Sequence, residues 1–199
     1  MSQLVLLVAF LGILWAQARI GVVLAPQATS AKGEMRKDYF VTGFAGGISG
    51  EVFFTEMAVI GMDLLGSLAG WREEEGGAAQ TTTRSTNRLL TLQVPLYVRV
   101  QWLPIGEAGA GLTASVGAQA DILLSARSKP DGGSFSNNAS LYNRYAGSLL
   151  GGLGFSYEGD TPFAVDLRTA YSFINIKSSK GGRINPLWFT LRLAFYFGG

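Results

Sequence analysis

Residues 109–127 read "GAGLTASVGAQADILLSAR", and from Ala108 to Ala126 every even-numbered residue is Ala, Leu, Val or Ile. The odd-numbered ones are Gly, Gly, Thr, Ser, Gly, Gln, Asp, Leu and Ser. Successive side chains of a β-strand point to opposite faces, so a period of two held this long predicts one strand with an apolar face and a small or polar face. Strands of globular sheets usually run about five or six residues, and this one is far longer. The fold turns on which of its two faces meets water.

Composition narrows the choice. The 199 residues contain no Cys and no His, 27 Gly and only 15% charged side chains, with 48% hydrophobic. Average soluble domains carry about 25% charge. Outside the first twenty residues no apolar run approaches the roughly 18 to 20 that a spanning helix needs, which excludes a helical membrane protein. A net charge of +2 from scattered basic residues argues against nucleic acid as a partner. Zero Cys excludes a disulfide framework and thiolate metal sites.

The N-terminus, "MSQLVLLVAFLGILWAQA", has a short apolar stretch from Leu4 to Trp15 followed by Ala16-Gln17-Ala18, the A-x-A form of a signal-peptidase site. The expectation is a signal peptide over 1–18, removed on export, and one domain over 19–199.

The remainder parses into segments of alternating polarity: 19–26, 39–54, 58–71, 88–102, 108–127, 143–157, 163–176 and 187–197. Their connections alternate in length. Long polar ones are expected at 27–38, 72–87, 128–142 and 177–186, and short turns near 55–57, 103–107 and 158–162. Short turns on one side and long loops on the other is the rhythm of an outer-membrane barrel with both chain ends on the periplasmic side. A soluble Greek-key sandwich has no reason to keep it.

Alternation alone does not separate this from a soluble barrel with an apolar interior, but size does. In the last segment the odd set is Leu187, Phe189, Leu191, Leu193, Phe195 and Phe197, facing away from Trp188, Thr190, Arg192, Ala194 and Tyr196. An eight-stranded barrel has an interior only wide enough for side chains to fill it, so the bulky apolar set of every strand must face hydrocarbon. The fold class predicted is all-β, a transmembrane antiparallel up-and-down barrel of about eight strands in the bacterial outer membrane. Trp102, Phe155, Tyr157, Phe163, Phe195 and Phe197 are expected in an aromatic girdle at the short-turn end. Phe40, Tyr145, Tyr171 and Phe173 are expected in one toward the long loops. Pro95 within the fourth segment predicts a bulge or an unpaired position.

Extending the same parity places Arg19, Glu51, Asp63, Arg99, Asp121, Asp166, Arg168 and Arg192 in the lumen, four acidic and four basic. An unpaired charge in a low-dielectric interior costs several kcal/mol or more, so the expectation is that they pair into a closed polar network. That favours a structural or interaction protein carrying four long surface loops, with envelope, adhesion or secretion-associated tasks. The alternative is a narrow porin-like channel for ions or small solutes, which an unbalanced ring of one charge sign would favour. A soluble ligand-binding barrel would need the apolar faces inside.

No catalytic residues, cofactor-binding residues, cofactors or metal ligands are predicted. Acyl hydrolases and proteases commonly need a His as general base, and there is none. "GGLGFS" lies in a strand pattern without the helix that would hold phosphate, and Glu73, Glu74 and Glu75 read as a solvated acidic loop. The expected partners are outer-membrane lipid, the outer-membrane assembly machinery, and proteins met through the surface loops.

"RLLTLQVPLYVRVQW" resembles the fourth strand of the PorT-like outer-membrane β-barrel proteins, with Leu, a polar residue and "VPL" before Tyr. The resemblance continues through "GAGLTASVGAQADILLSARSK", "YAGSLLGGLGFSYE", "FAVDLRTAYSFINI" and "WFTLRLAFYF", most of residues 39–197. It implies an eight-stranded outer-membrane barrel, in a family with one namesake member tied to protein secretion and gliding. Such barrels commonly end on an aromatic residue read by the assembly machinery, whereas here Gly198 and Gly199 follow Phe197.

Overall fold

The computed structural model describes residues 18–33, 37–75, 83–105, 109–137, 139–174 and 184–197. The long strands are β1 (Ala18–Gly33), β2 (Lys37–Thr55), β3 (Ala58–Glu75), β4 (Thr83–Ile105), β5 (Ala110–Pro130), β7 (Tyr145–Tyr157), β8 (Phe163–Ser172) and β9 (Ile184–Phe197). A two-residue strand β6 (Ser136–Asn137) and a 3-10 turn (Ala139–Leu141) lie between β5 and β7. Each long strand pairs antiparallel with its chain neighbours, β4 pairs β5, and β1 pairs β9, so the sheet closes into a ring without edges. β6 hangs on β5 outside that ring, pairing Arg127 with Asn137 and Ser128 with Ser136. No described helix is long and apolar enough to cross a membrane; the crossing elements are strands.

The two faces separate as their residues dictate. Ile20, Leu68, Leu96, Val116, Leu149, Leu153, Leu167 and Phe197 are each more than half exposed on the outer wall. An apolar surface this continuous belongs against hydrocarbon. The inner face is the core, and much of it is polar: Gln27, Thr29, Ser49, Ser67, Gln93, Thr113 and Ser148 are buried there with small apolar residues such as Ala25, Ala45, Ala164 and Ala194.

The loops depart from expectation. The stretch expected as a long connection over 27–38 is strand at both ends, because β1 runs to Gly33 and β2 begins at Lys37. Its polar residues mark a lumen-facing surface: Gln27 and Thr29 are buried inside, opposite Thr190 and Trp188 on β9. Over 72–87 the hairpin likewise continues, with Glu75 opposite Thr83. β8 ends earlier than expected, at Ser172. Of the expected signal peptide over 1–18, residues 1–17 lie outside the described residues, as do Gly198 and Gly199, and Ala18 is the first residue of β1.

Proline shapes the ladders without breaking the ring. Pro95 pairs Gln119 on β5, but the β3–β4 ladder passes from Met62↔Leu96 to Leu65↔Gln93 in unchanged register, leaving Pro95 unpaired on that side. The β1–β9 ladder skips Pro26 in the same way, from Leu24↔Leu193 to Gln27↔Thr190. A residue without an N–H has nothing to donate at these positions. β5 carries a bulge: Leu90 faces Ser125 while Thr91 faces Leu123. The extra residue turns the strand over, so Ala126 is buried inside and Arg127 is exposed, and the even-outward rule of the opening stretch stops at Leu124.

Glycine sits where a large inward side chain needs the space. Gly61 pairs Tyr97, and a Cβ there would lie 2.3 Å from the Tyr97 Cζ. Gly154 pairs Asp166, and its Cβ would lie 2.4 Å from Asp166 Oδ1. Replacing Gly61 by Val forces the Tyr97 ring from its hydrogen bonds and is expected to cost roughly 1–3 kcal/mol, as core overpacking does. Gly50→Ala, where an added Cβ meets nothing within 4 Å, is the control and should leave stability unchanged. Urea midpoints of the vesicle-inserted protein, followed by the gel shift of the folded band, separate the two.

Candidate functional site

Parity along the strands brings ionisable side chains to the barrel interior from seven of its long strands, β1, β2, β3, β4, β5, β8 and β9. Toward the short-turn end, Glu51 on β2 is the hub. Its Oε2 accepts from Arg19 Nε (3.0 Å), Arg19 Nη2 (2.7 Å) and Arg99 Nη2 (2.7 Å). Arg19 also donates to Glu158, in the turn after β7, and its guanidinium lies 4.0 Å from the Tyr196 ring centroid.

The second cluster lies further in. Arg192 on β9 grips Asp63 on β3 through two donors, Nε to Oδ2 and Nη2 to Oδ1, both at 2.9 Å. Its Nη1 donates to Asp166 on β8 at 3.0 Å. Arg168 donates to the same two carboxylates, Asp63 at 3.1 Å and Asp166 at 3.2 Å, with its guanidinium 4.1 Å from the Tyr97 ring centroid. Such charge-assisted, forked contacts are roughly twice as strong as neutral hydrogen bonds.

Two tyrosines join the clusters. Tyr97 Oη and Tyr196 Oη accept from Arg192 Nη2 at 2.8 and 3.0 Å, and each hydroxyl donates to Glu51 Oε1, at 2.8 and 2.7 Å. Ser49 accepts from the same Nη2 at 2.9 Å. The charges balance: Arg19, Arg99, Arg168 and Arg192 face Glu51, Asp63, Asp166 and Glu158.

Seven of the eight residues expected in the lumen thus lie in one connected network, and the eighth stands apart. Asp121 is buried on β5 but accepts from Gln119 at 2.8 Å, and no Arg or Lys pairs with it among the described residues. It lines a cavity of about 20 Å³ toward the long loops, beside Thr91, Trp188 and Tyr142. Glu158 takes the place Asp121 was expected to fill; its position in a turn, outside any strand parity, hid it. Tyr97, Tyr196 and Ser49 are inward by the same parity that found the charges, and a reading confined to ionisable groups passes over them.

Above the network the lumen is filled differently. Trp71, Leu89 and Ala126 form a buried apolar cluster, with Tyr142 edge-on to Trp71 at 5.9 Å and its hydroxyl 3.3 Å from Asn87 Oδ1. A second cavity of about 20 Å³ lies between Asp63, Gln93, Gln119, Arg168 and Arg192. Each is the size of about one water molecule. A larger hollow of about 840 Å³ lies at the short-turn mouth, and its lining reaches inward only to Arg19 and Tyr196.

A closed antiparallel ring, apolar outside and polar within, agrees with the comparison to protein families. The family model for the outer membrane protein beta-barrel domain matches residues 15–178. The chain belongs to the outer membrane protein beta-barrel domain family. It is accordingly a protein of the bacterial outer membrane. No curated protein matches it by sequence. Among solved structures this family member is similar to OprG of Pseudomonas aeruginosa, at 12% identity and a TM-score of 0.47, covering 92% of this chain and 95% of that one. It is similar to the attachment invasion locus protein Ail of Yersinia pestis, at 15% identity and a TM-score of 0.44, covering 91% and 99%. Neisserial surface protein A gives 14% identity and a TM-score of 0.45, covering 89% and 97%.

For this outer-membrane barrel, breaking one side of the network leaves buried charge behind. Arg192→Met and Asp63→Asn are each expected to cost roughly 3–5 kcal/mol, and the double variant less than their sum. Asp121→Asn, which removes a buried charge that lacks a cationic partner, is expected to lose less than about 1 kcal/mol or to gain stability. Urea titration of the wild type and the four variants in vesicles measures all four differences.

Proposed function

We propose that this protein is a closed outer-membrane barrel whose task is structural or interactive, carried by the loops at its long-loop end, in envelope integrity, adhesion or secretion. The finer kinship, on the sequence patterns of β4, β5 and β7 to β9, is with the PorT-like barrels. Residues 1–18 serve as its removed export signal, and the outer-membrane assembly machinery inserts it. The role is non-enzymatic, in keeping with a chain that has no His.

The observation that carries this reading is the layer made by Arg192, Asp63, Asp166, Arg168, Tyr97 and Tyr196. It spans the lumen from β9 and β8 to β3 and β4 with charges of both signs satisfied by one another. A layer of balanced charge closes a bore, whereas selective pores expose rings of one sign.

The second reading is a narrow channel. It draws on the buried polar atoms Thr91 Oγ1, Gln93 Nε2, Ser148 Oγ and Trp188 Nε1, which have no hydrogen-bond partner. Detergent-solubilised protein run on a denaturing gel with and without boiling, together with single-channel recording in a planar bilayer, tests both. A heat-dependent mobility shift without steady conductance is the expected result. A steady conductance that changes on replacing Arg192 or Asp121 would establish the channel instead.

A further inference from the structure

On three adjacent strands the apolar outer wall stops abruptly at the long-loop end. Along β4 the outward residues are Trp102, Val100, Val98, Leu96, Val94, Leu92 and Leu90, and the next is Arg88. On β3, Leu68 and Gly70 give way to Arg72. On β5, beyond the bulge, they give way to Arg127 and Lys129. All four cationic side chains are exposed.

The register sets them side by side. Arg88 lies directly opposite Arg127, and Thr86 separates Arg72 on one side from Lys129 on the other. Like charges directly opposite across a ladder are destabilising by themselves. Among the described residues none of the four has a carboxylate partner, and Asp131, in the turn above, forms no ion pair with them. The chain also holds an aromatic ring between two of them. The turn after β5 closes with Gly133 N–H donating to Pro130 O (3.0 Å), with Gly132 at φ 76°, and returns along β5 as β6. Phe135 then stands 5.1 Å from the Arg88 guanidinium and 5.8 Å from Lys129 Nζ.

We propose that this outer face of β3, β4 and β5 binds the phosphate group of a membrane lipid in the leaflet on the long-loop side. Guanidiniums pair with phosphate through parallel N–H donors, and basic side chains at the edge of the hydrocarbon layer attract anionic headgroups. The apolar columns ending in Leu68, Leu90 and Leu124 give the acyl chains a wall directly beneath the cations, which a free anion would not use. Beside it, β2, β7 and β8 and the residues just after β8 present exposed Phe40, Tyr145, Tyr171 and Phe173 at this end instead. The placement of the site rests on the family's membrane location and not on whether the lumen is closed.

Native mass spectrometry of the full chain, refolded with phosphatidylcholine alone or doped with phosphatidic acid, tests the site. The wild type is expected to retain phosphatidic acid in preference to phosphatidylcholine. Arg88→Gln with Arg127→Gln is expected to reduce that retention roughly tenfold or more, whereas Arg144→Gln, an exposed charge outside the patch, leaves it unchanged. Equal retention of both lipids by the wild type overturns the proposal, whatever the variants do, and leaves an acidic protein partner as the occupant. Full displacement by inorganic phosphate overturns the lipid assignment. Undiminished retention by a double variant that still shows the heat-dependent gel shift overturns the assignment to these residues.

Discussion

One side chain, Arg192, fixes the distance between opposite walls of this barrel. It leaves β9, and its guanidinium reaches Asp63 on β3, Asp166 on β8, Ser49 on β2 and Tyr97 on β4. Burying an ion at 1% exposure costs several kcal/mol before any contact is made, and the geometry must recover it. The accounting of donors explains how. A guanidinium has five N–H groups and no acceptor, more donors than two carboxylates on one side of it can absorb. The Nη2 hydrogen not directed at Asp63 is shared among Ser49, Tyr97 and Tyr196, and each tyrosine hydroxyl donates to Glu51, whose other oxygen already holds Arg19 and Arg99. The tyrosine hydroxyls join two ion-pair clusters into one network, in which Arg99 Nη1 and Arg168 Nε lack a partner among the described residues.

That network depends on residues with no side chain at all. Tyr97, Tyr196, Arg168 and Asp166 each lie opposite a glycine on the neighbouring strand, namely Gly61, Gly21, Gly152 and Gly154. An eight-stranded bore has little width to spare. A bulky polar group on one strand therefore demands a missing one beside it. In a soluble protein, large apolar groups interlock inside and polar ones scatter outside; here the lipid takes the apolar groups and the interlocking core is built from Arg, Tyr, Asp and Gly.

This inversion explains what was legible in the sequence and what was not. The strands of β4 and β9 are readable because both faces are demanding at once: hydrocarbon requires Leu, Val and Phe at every second position, and the narrow lumen requires small or polar residues between them. Where one demand relaxes, the reading slips. Gln27 and Thr29 look like part of a loop because polarity ordinarily means solvent, yet they face the lumen. Above the hydrocarbon layer the hairpin of β3 and β4 keeps its ladder in water, with no alternation to reveal it. The bulge at Leu124 leaves no mark in a stretch whose alternation continues in letters while the faces exchange. Parity found the charges of the lumen, but a strand period cannot place a turn residue such as Glu158.

The lumen is not uniform along its length, and the two ends are held together by different interactions. Toward the short turns Arg192 is paired with Asp63 and Asp166 across the lumen, and opening a path there means separating them in a low-dielectric space. Toward the long loops the filling is Trp71, Leu89, Ala126 and Tyr142, with Asp121 and the orphaned Thr91, Gln93 and Trp188 atoms around small cavities. Tyr142 packs onto this cluster from the segment 139–144, which is held to β5 by Leu123 N–H donating to Arg144 O at 2.8 Å. Displacing that segment costs contacts of ordinary side chains, whereas displacing Arg192 strands buried charge.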